Sequence, residues 1–391
     1  MKIKVGVIFG GESVEHEVSI ISALQAINNI DKNKYIVVPI YISKDKVWYT
    51  GKDLCDISIY NDLDKVKKNS KSVSLCKVGN EYYLIQTKGL LNKIVDKIDI
   101  AFPIVHGQNV EDGSLAGYLE TVGIPYVGPN VLGASLGQDK VVMKQVFESS
   151  NIPVVDYVWF YESDYINDEE KYLRDIKKLE YPVLVKPASL GSSVGINFVK
   201  NENEIKDAIN EAFTYDDKIV VEKAVENLIE VNCSVLGDKN MQSTSVIEQV
   251  LSNNQILTYE DKYIGDSKKS GVKSKGMAST NRIIPARINK ELAHSVSNIS
   301  KDVFKVLNLS GVCRIDFLIN SKTNEVFVNE PNTIPGSLSY YLWEKSNIKY
   351  SELLDRLISI SIKNYKDRRK KVFSFDTNIL KNYNKNSGFK K

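Results

Sequence analysis

Hydrophobic positions along this chain fall into short continuous runs that alternate with stretches at helical spacing. The first run, Ile3 to Phe9, ends in Gly10-Gly11, and Val18, Ile20, Ile21, Ala23, Leu24 and Ile27 then follow at helical spacing. A buried strand, a glycine turn and a helix predict the opening of an α/β unit. Two more apolar runs, YIVVPIYI and IDIAFPIV, predict strands on either side of a hairpin, in which VSLCKV and EYYLIQT flank Gly79-Asn80. Helices are expected over LAGYLETVG and over the whole of ASLGQDKVVMKQVFESS, with IPYVG as a strand between them.

A second unit begins near residue 140. Its predicted strands are VVDYVWFY, YPVLVKPA, INFVK, KIVVEKAV and LIEVNCSVLG, with helices near EEKYLRDIKKLE and ENEIKDAINEAF. The stretch from Glu260 to Asn281 is polar and rich in Lys, Ser and Gly, which predicts a mobile lid or a disordered linker. A helix from Leu292 to Leu307 follows, then the strand pair VCRIDFLI and EVFVNE and a helix over Leu353 to Ile362. The end of the chain is basic and rich in Asn.

Composition narrows the function classes. A chain of 391 residues is long enough for two or three domains, and a net charge of +3 shows no commitment to nucleic acid. The four cysteines stand singly, without CxxC spacing, which predicts reduced thiols rather than zinc ligands. No apolar run is long enough to span a bilayer, so no membrane is expected. The N-terminus enters a strand at once, unlike a signal peptide, and a cytoplasmic location is expected.

Candidate chemistry collects where the elements end. In VKPASLGSSVGI, a strand delivers Lys186 and a loop of small residues returns into a second strand. Backbone amides at Gly191, Ser192 and Ser193 can approach a polyphosphate closely, and Lys186 supplies a point charge. No helix follows, so this is neither a P-loop nor a dinucleotide fingerprint. Alone, the segment reads equally as a tight β-hairpin with a surface lysine. Near the C-terminus, Arg314 and Asp316 share a face of VCRIDFLI, while Glu330 and Asn332 share a face of the next strand. Two carboxylates and a carboxamide oxygen suit Mg²⁺, which takes few protein ligands and otherwise uses phosphate oxygens and water. Arg314 beside them suits charge developing on a phosphoryl or tetrahedral centre. A surface ion pair across a hairpin is the plainer alternative, but it leaves Asn332 and the Pro335-Gly336 turn unexplained.

Two further segments carry weaker signals. VVEKAVENLIE ends one apolar strand at Glu222 and begins the next at Glu230. Backbone groups from Lys223 to Val225 could meet an adenine edge, and a carboxylate could take ribose hydroxyls. GGESVEHEVS crowds Glu15, His16, Glu17 and Ser19 into a helix start, where the helix dipole favours acids in any case. FPIVHGQNVEDG ends a strand at His106 and begins a helix near Asp112. Strand-to-helix turns of this kind are where ligand sites of parallel sheets collect.

Taken together, these segments closely resemble the D-alanine–D-alanine ligases of the ATP-grasp superfamily. The resemblance runs from Val5 to about Leu357 and is carried by GGESVEHEVSIISA, FPIVHGQNVEDG, PYVG with QDKVVMK, VKPASLGSSVGI, YEDKY, RIDF and NEPNTIPG. It implies an α/β fold: a Rossmann-like N-terminal domain over residues 1–139, then a two-subdomain ATP-grasp fold over 140–225 and 226–365, with 366–391 as a basic tail. By that likeness Lys140, Lys186, Ser192 and Ser193 bind the phosphates of ATP. Glu222, Lys223, Val225 and Glu230 hold its adenosine, and Lys262 reaches down from the mobile loop. Asp316, Glu330 and Asn332 ligate two Mg²⁺, with Mn²⁺ as an alternative. Glu15 takes the ammonium of the first D-alanine, with Ser192 and Tyr263 completing a link from helix start to loop. His106 lies near the donor carboxylate, and Arg314 with the Gly336 amide stabilises the tetrahedral intermediate. The likeness also implies a homodimer.

The sequence departs from the family at one end of this site. After Pro-Gly the family usually continues with a hydrophobic residue, Thr, and a Ser-Leu or Ser-Met pair that receives the acceptor carboxylate. Here the run is Ser337-Leu338-Ser339-Tyr340-Tyr341-Leu342, several residues short of the usual length before Trp343-Glu344. The hydroxyls of Ser337, Ser339, Tyr340 and Tyr341, together with backbone amides, are the expected replacements. Val110 stands where a glycine is usual, and Ile229 replaces an arginine before Glu230. The expected activity is ATP-dependent joining of two D-alanines for peptidoglycan. The alternatives are another acceptor, such as D-serine or D-lactate, or a catalytically silent ATP-binding module.

Overall fold

Three sheets divide the chain, in a computed structural model that describes residues 2–89, 93–251 and 282–377. The first sheet has seven strands, in the order Ile94–Ile98, Glu81–Gln86, Lys71–Val78, Trp48–Thr50, Tyr35–Ile42, Ile3–Gly10 and Ile100–Pro103. Ile3–Gly10 runs parallel to both its neighbours, which explains its unbroken apolar sequence: it is covered on both faces. The His16–Asn29 helix packs Ile20, Ala23, Leu24 and Ile27 into this core. The C-terminal helix Tyr350–Arg369 adds Leu353, Leu354, Leu357 and Ile358 to the same cluster, tying the two ends of the chain together.

The second sheet is antiparallel, in the order Asn197–Val199, Val183–Pro187, Lys218–Lys223, Tyr157–Tyr161. Helices Glu169–Lys177 and Ile205–Phe213 cover it with Ile176, Ile205 and Ile209. The third sheet is also antiparallel, in the order Arg282–Ile283, Gln242–Val250, Leu228–Gly237, Gly311–Asn320, Val326–Asn332. Its core is shared with the Lys290–Val306 helix and with Met143 and Phe147 of the Lys140–Ser149 helix.

Several elements differ from the sequence pattern, each for a local reason. The helix expected over residues 134–150 breaks into Val131–Gln138 and Lys140–Ser149, because the Asp139 carboxylate caps the second by accepting from the Val141 and Val142 amides. The run IDIAFPIV also divides. The Asp99 carboxylate accepts from the Lys4 amide while the Asp99 amide donates to the Lys4 carbonyl, so Ile94–Ile98 joins the hairpin and Ile100–Pro103 joins the parallel pair. IPYVG forms only a single bridge, Ala101 to Tyr126. Gln242–Val250 is a strand that its polar composition hides; it is held by pairing with Leu228–Gly237. The last helix extends to Arg369, past Ile362, because Tyr365 and Arg368 hydrogen-bond the Gly123 carbonyl and Glu120. All four cysteines carry free thiols, and Cys233 and Cys313 are buried. Among the described residues no helix is long and apolar enough to cross a membrane.

Candidate functional site

A cavity of about 890 Å³ opens where the three sheets meet. Its lining includes Glu15 and His106 from the first unit, Lys186, Ser192 and Ser193 from the second, and Arg314, Asp316, Glu330 and Asn332 from the third. Lys140, Val225, Glu230 and Gly336 line it as well. The expected positions Lys262 and Tyr263, with the stretch from Glu260 to Asn281, lie outside the described residues, as do residues 378–391 of the tail.

The small-residue loop earns its composition through backbone shape and close approach. Ser192 and Ser193 both adopt left-handed backbone, at φ of 57° and 61°. A side chain on Gly191 would place its Cβ 2.8 Å from Glu15 Oε2, so glycine is required for the loop to reach the helix start. There the Ser192 hydroxyl donates to Glu15, which joins Ser192 and Glu15 across 177 positions of sequence. Val110, the departure noted above, fills the space over Gly11, whose Cβ would lie 2.6 Å from Val110 Cγ1.

Behind the loop lies a buried lysine cluster. Lys140 Nζ donates to the Leu190 carbonyl at 2.6 Å and sits 3.9 Å from Glu330 Oε2. Burial lowers its pKa against the pull of Glu330. Lys186 pairs with Glu222 at 2.6 Å and reaches Asn329 Oδ1 at 3.2 Å. Lys144, one turn after Lys140, lies 3.1 Å from the other Glu222 oxygen, off the angle of a hydrogen bond, so that contact is Coulombic. Burial works to raise the Glu222 carboxyl, and the two ammonium groups overcome it and hold the pKa down to about 2. Glu222 and Lys223 do not line the cavity; Glu222 is committed to the two lysines, and the Lys223 ammonium to Glu180 at 2.9 Å.

Strand register builds the opposite wall. Glu248 pairs with Asn232, Asn232 with Asp316, and Asp316 with Glu330, so one polar row crosses four strands. Asn332 pairs with Arg314 in the next row, and a register shift after Asp316 bends the strand there. Arg314 grips Asp316 with two hydrogen bonds of 2.7 Å, and Asn332 Nδ2 donates to Asp316 Oδ2 at 3.1 Å. At the far end Glu248 is buried and accepts from Asn232 at 3.0 Å, Tyr341 at 2.8 Å and Arg282 at 3.0 Å. Among the described residues no three His, Cys, Asp or Glu gather in one group. The two carboxylates Asp316 and Glu330 and the neutral carboxamide of Asn332 offer oxygen atoms beside Arg314.

The loop after Pro335 corrects the expected hydroxyl wall. Ser337, Leu338 and Ser339 all take left-handed backbone, at φ of 53°, 53° and 51°, which winds the chain away from the cavity. Leu338 enters the core, Tyr340 stacks on Tyr350, Ser339 is fully buried, and the Tyr341 hydroxyl donates to Glu248. None of Ser337, Ser339, Tyr340 and Tyr341 lines the cavity. The loop is anchored by groups that sequence patterning missed. The Ser337 amide donates to Ser22 Oγ at 2.9 Å, and that hydroxyl also meets His106 Nε2 at 3.1 Å. Glu111 accepts from Thr333 at 2.9 Å, from the Ile334 amide at 2.8 Å and from the Gly107 amide at 3.0 Å. Burial first, and the charge of Glu15 second, push the Glu111 carboxyl up to about 7. Its place three residues before the Ser114–Val122 helix reads as ordinary helix-start acidity, which concealed it.

Comparison with known proteins gives consistent matches. The family model for the D-ala D-ala ligase N-terminus matches residues 4–129, and that for the D-ala D-ala ligase C-terminus matches residues 146–359. A D-alanine--D-alanine ligase of Thermosipho melanesiensis is 42% identical over 379 residues, covering 97% of this chain and 98% of the relative. That of Caldicellulosiruptor bescii is 39% identical, covering 96% and 98%. Among solved structures, the D-alanine-D-alanine ligase of Coxiella burnetii superposes with a TM-score of 0.77 at 29% identity, covering 94% of this chain and 96% of that one. The VanG D-Ala:D-Ser ligase of Enterococcus faecalis gives 0.76 at 29% identity, covering 92% and 100%.

Proposed function

The chain belongs to the D-alanine–D-alanine ligase family, with the ATP-grasp fold of its structural neighbours, and we propose that the cavity described above is its active site. The protein is an ATP-dependent ligase that joins D-alanine to D-alanine, the dipeptide step of peptidoglycan synthesis, and it uses a divalent metal. What supports placing the reaction here is the Ser192–Glu15 hydrogen bond, which brings an amine-binding carboxylate and a phosphate-binding loop into one cavity.

The chemistry follows from the groups present. A carboxylate is inert to amines, so the γ-phosphoryl group of ATP must first convert the donor carboxylate into an acyl phosphate. Lys140, Lys186 and the Ser192-Ser193 amides face the phosphates, while Val225 and Glu230 face the nucleoside; Lys186 and Lys140 are prepositioned by Glu222 and by Leu190. Glu15 holds the donor ammonium, and buried His106 stays neutral beside it, since burial lowers its pKa. The acceptor amine then attacks the acyl carbon, charge develops on the oxygen that Arg314 and the Gly336 amide face, and the C–O bond to phosphate breaks, so that inorganic phosphate leaves and takes up the amine proton. Asp316, Glu330 and Asn332 fit Mg²⁺, because a hard cation with few protein ligands completes its shell from phosphate and water. We place two such ions there. When bound, the metal neutralises phosphate charge. Lys262 and Tyr263 belong to the same proposal, on the strength of the YEDKY motif alone. A cytoplasmic homodimer completes it.

The test is phosphate release from ATP with D-alanine as donor and D-alanine, D-serine or D-lactate as second substrate. D-alanine-dependent release with formation of the D-alanyl-D-alanine dipeptide is expected. Release that requires no D-amino acid would overturn the reading.

A further inference from the structure

We propose that Arg282 anchors the carboxylate of the acceptor substrate, a role that the hydroxyls after Gly336 do not fill in this chain. The inference rests on the ligase reading and names the group that holds the second substrate.

An acceptor amino acid carries a carboxylate that must find donors once water is excluded, because a buried, unpaired anion is very costly. The expected donors are absent from the wall: the three left-handed residues turn Ser337, Ser339 and Tyr340 inward, and the Tyr341 hydroxyl is given to Glu248. The cavity lining does contain a second guanidinium besides Arg314, that of Arg282. It enters from the edge strand Arg282–Ile283, next to Gln242–Val250.

Two contacts show that this side chain is built into place. Arg282 Nη1 donates to Glu248 at 3.0 Å, and the guanidinium lies 4.5 Å from the centre of the Tyr341 ring. Glu248 is itself fixed by Asn232 and Tyr341. A guanidinium has five N–H donors in a planar fork, so it can hold Glu248 and a substrate carboxylate together. Register sets its position relative to the metal end. Glu248 stands two strands from Asp316 along the polar row, roughly 10 Å at ordinary strand spacing. Arg314 stands on the strand of Asp316, two residues away, and Asn232 occupies the strand between Asp316 and Glu248. Phosphate and metal therefore occupy the Asp316–Glu330 end, and the Arg282–Glu248 end is left for the smaller substrate. Glu248, Arg282 and Tyr341 together replace, by charge and ring packing, the hydroxyl cradle that the shortened loop has lost.

The experiment compares the full-length protein with Arg282→Met and Arg282→Lys in D-alanine titrations at saturating ATP. The weaker of the two D-alanine KM values, that of the acceptor, should rise about ten- to a hundredfold in Arg282→Met. ATP KM and the tighter D-alanine KM should stay within about twofold, and Arg282→Lys should recover part of the loss. D-alaninamide, which lacks the carboxylate, supplies the sharper readout: the parent should use it far less well than D-alanine, and Arg282→Met should no longer distinguish the two. If removing the guanidinium unfolds the protein by stranding Glu248, the double variant Arg282→Met with Glu248→Gln removes both charges and makes the same prediction. An unchanged acceptor KM in a folded variant, or an equal rise in ATP KM, overturns the proposal. Failure of the parent itself to release phosphate with D-alanine would instead sink the ligase reading.

Discussion

The two ends of the cavity are built from different kinds of neighbour. At the end where we place phosphate and metal, Asp316, Glu330 and Asn332 come from adjacent strands in register, and Lys186 and Glu222 from another adjacent pair offset by two residues. Such groups are placed by the ladder itself, and a bulge after Asp316 is the only local adjustment. At the end where we place the acceptor, Arg282 and Glu111 line the cavity, and Glu248, Tyr341 and Ser22 support it from behind, each from a separate segment. The first arrangement tolerates little change in its residues. The second, if it holds the acceptor as we propose, depends on packing between segments and not on one ladder.

The strongest test of this contrast is at the metal end. Glu330→Gln keeps the shape and the strand but removes one of two carboxylates, so turnover should fall by about 10²–10³-fold or more, with urea-induced unfolding little changed. Near-parental turnover at saturating Mg²⁺ would break the assignment of this end.

Next comes the support behind the phosphate loop. Lys144→Met leaves Glu222 with Lys186 alone in a site where both lysines and the carboxylate are buried. Glu222 keeps one buried partner, so the loss should stay below the about 3–5 kcal/mol of an uncompensated buried charge, read from denaturant midpoints. ATP KM should rise as well, because Glu222, now balanced by Lys186 alone, draws that ammonium more firmly back from the cavity. A variant as stable as the parent would show that Lys144 is a bystander.

Legibility in the sequence follows the same division. Apolar runs located the parallel strands, and alternation along VCRIDFLI and EVFVNE placed Arg314, Asp316 and Glu330 on shared faces before any coordinates, because strand periodicity alone determines that. The Gln242–Val250 strand is hidden by its largely polar sequence, and pairing with Leu228–Gly237 keeps it extended. Glu248 lies on that hidden strand, so the whole Arg282 cluster was invisible with it. Tyr341 was singled out for its hydroxyl, yet three consecutive left-handed residues decided which way that hydroxyl points. No residue pattern announces such a turn in Ser-Leu-Ser, because glycine is the usual occupant.

A smaller effect should separate the two ends by pH. Glu111 links the loop at Gly107 to Thr333 and Ile334 at the acceptor side. Its carboxyl is raised to about 7 from an ordinary 4.5, so between those values the folded protein keeps a proton that the unfolded chain has released. Its contribution to stability is therefore fully present below pH 4.5 and fades as pH rises through 7. Each pKa unit is about 1.4 kcal/mol, so the span is on the order of 3 kcal/mol. Glu111→Gln should flatten the fall in unfolding free energy across that window. Glu222, whose carboxyl is held down to about 2, acts in the opposite sense: its contribution is present above pH 4.5 and is lost as pH falls toward 2. A parent profile with no decline from pH 4.5 to 7 attributable to Glu111 would mean that its three donors outweigh its burial.

The smallest predicted effect is also the most selective. Tyr341→Phe keeps the ring under Arg282 and removes only the hydroxyl that donates to Glu248 at 2.8 Å. Glu248 then relies on Asn232 and Arg282, and the guanidinium is drawn toward the carboxylate that must compensate. The loss of one hydrogen bond to a charged group is worth about 1.5 kcal/mol at the lower end of its range, or roughly tenfold. Because Tyr341 acts on the acceptor only through Glu248 and Arg282, the acceptor KM should rise by less than that, about three- to fivefold, with ATP KM and kcat nearly unchanged. The effects of Tyr341→Phe and Arg282→Met should then be less than additive, since each disturbs the same anchor. Full additivity would place Tyr341 and Arg282 in separate roles, and an effect confined to ATP KM would move this cluster to the other end of the cavity.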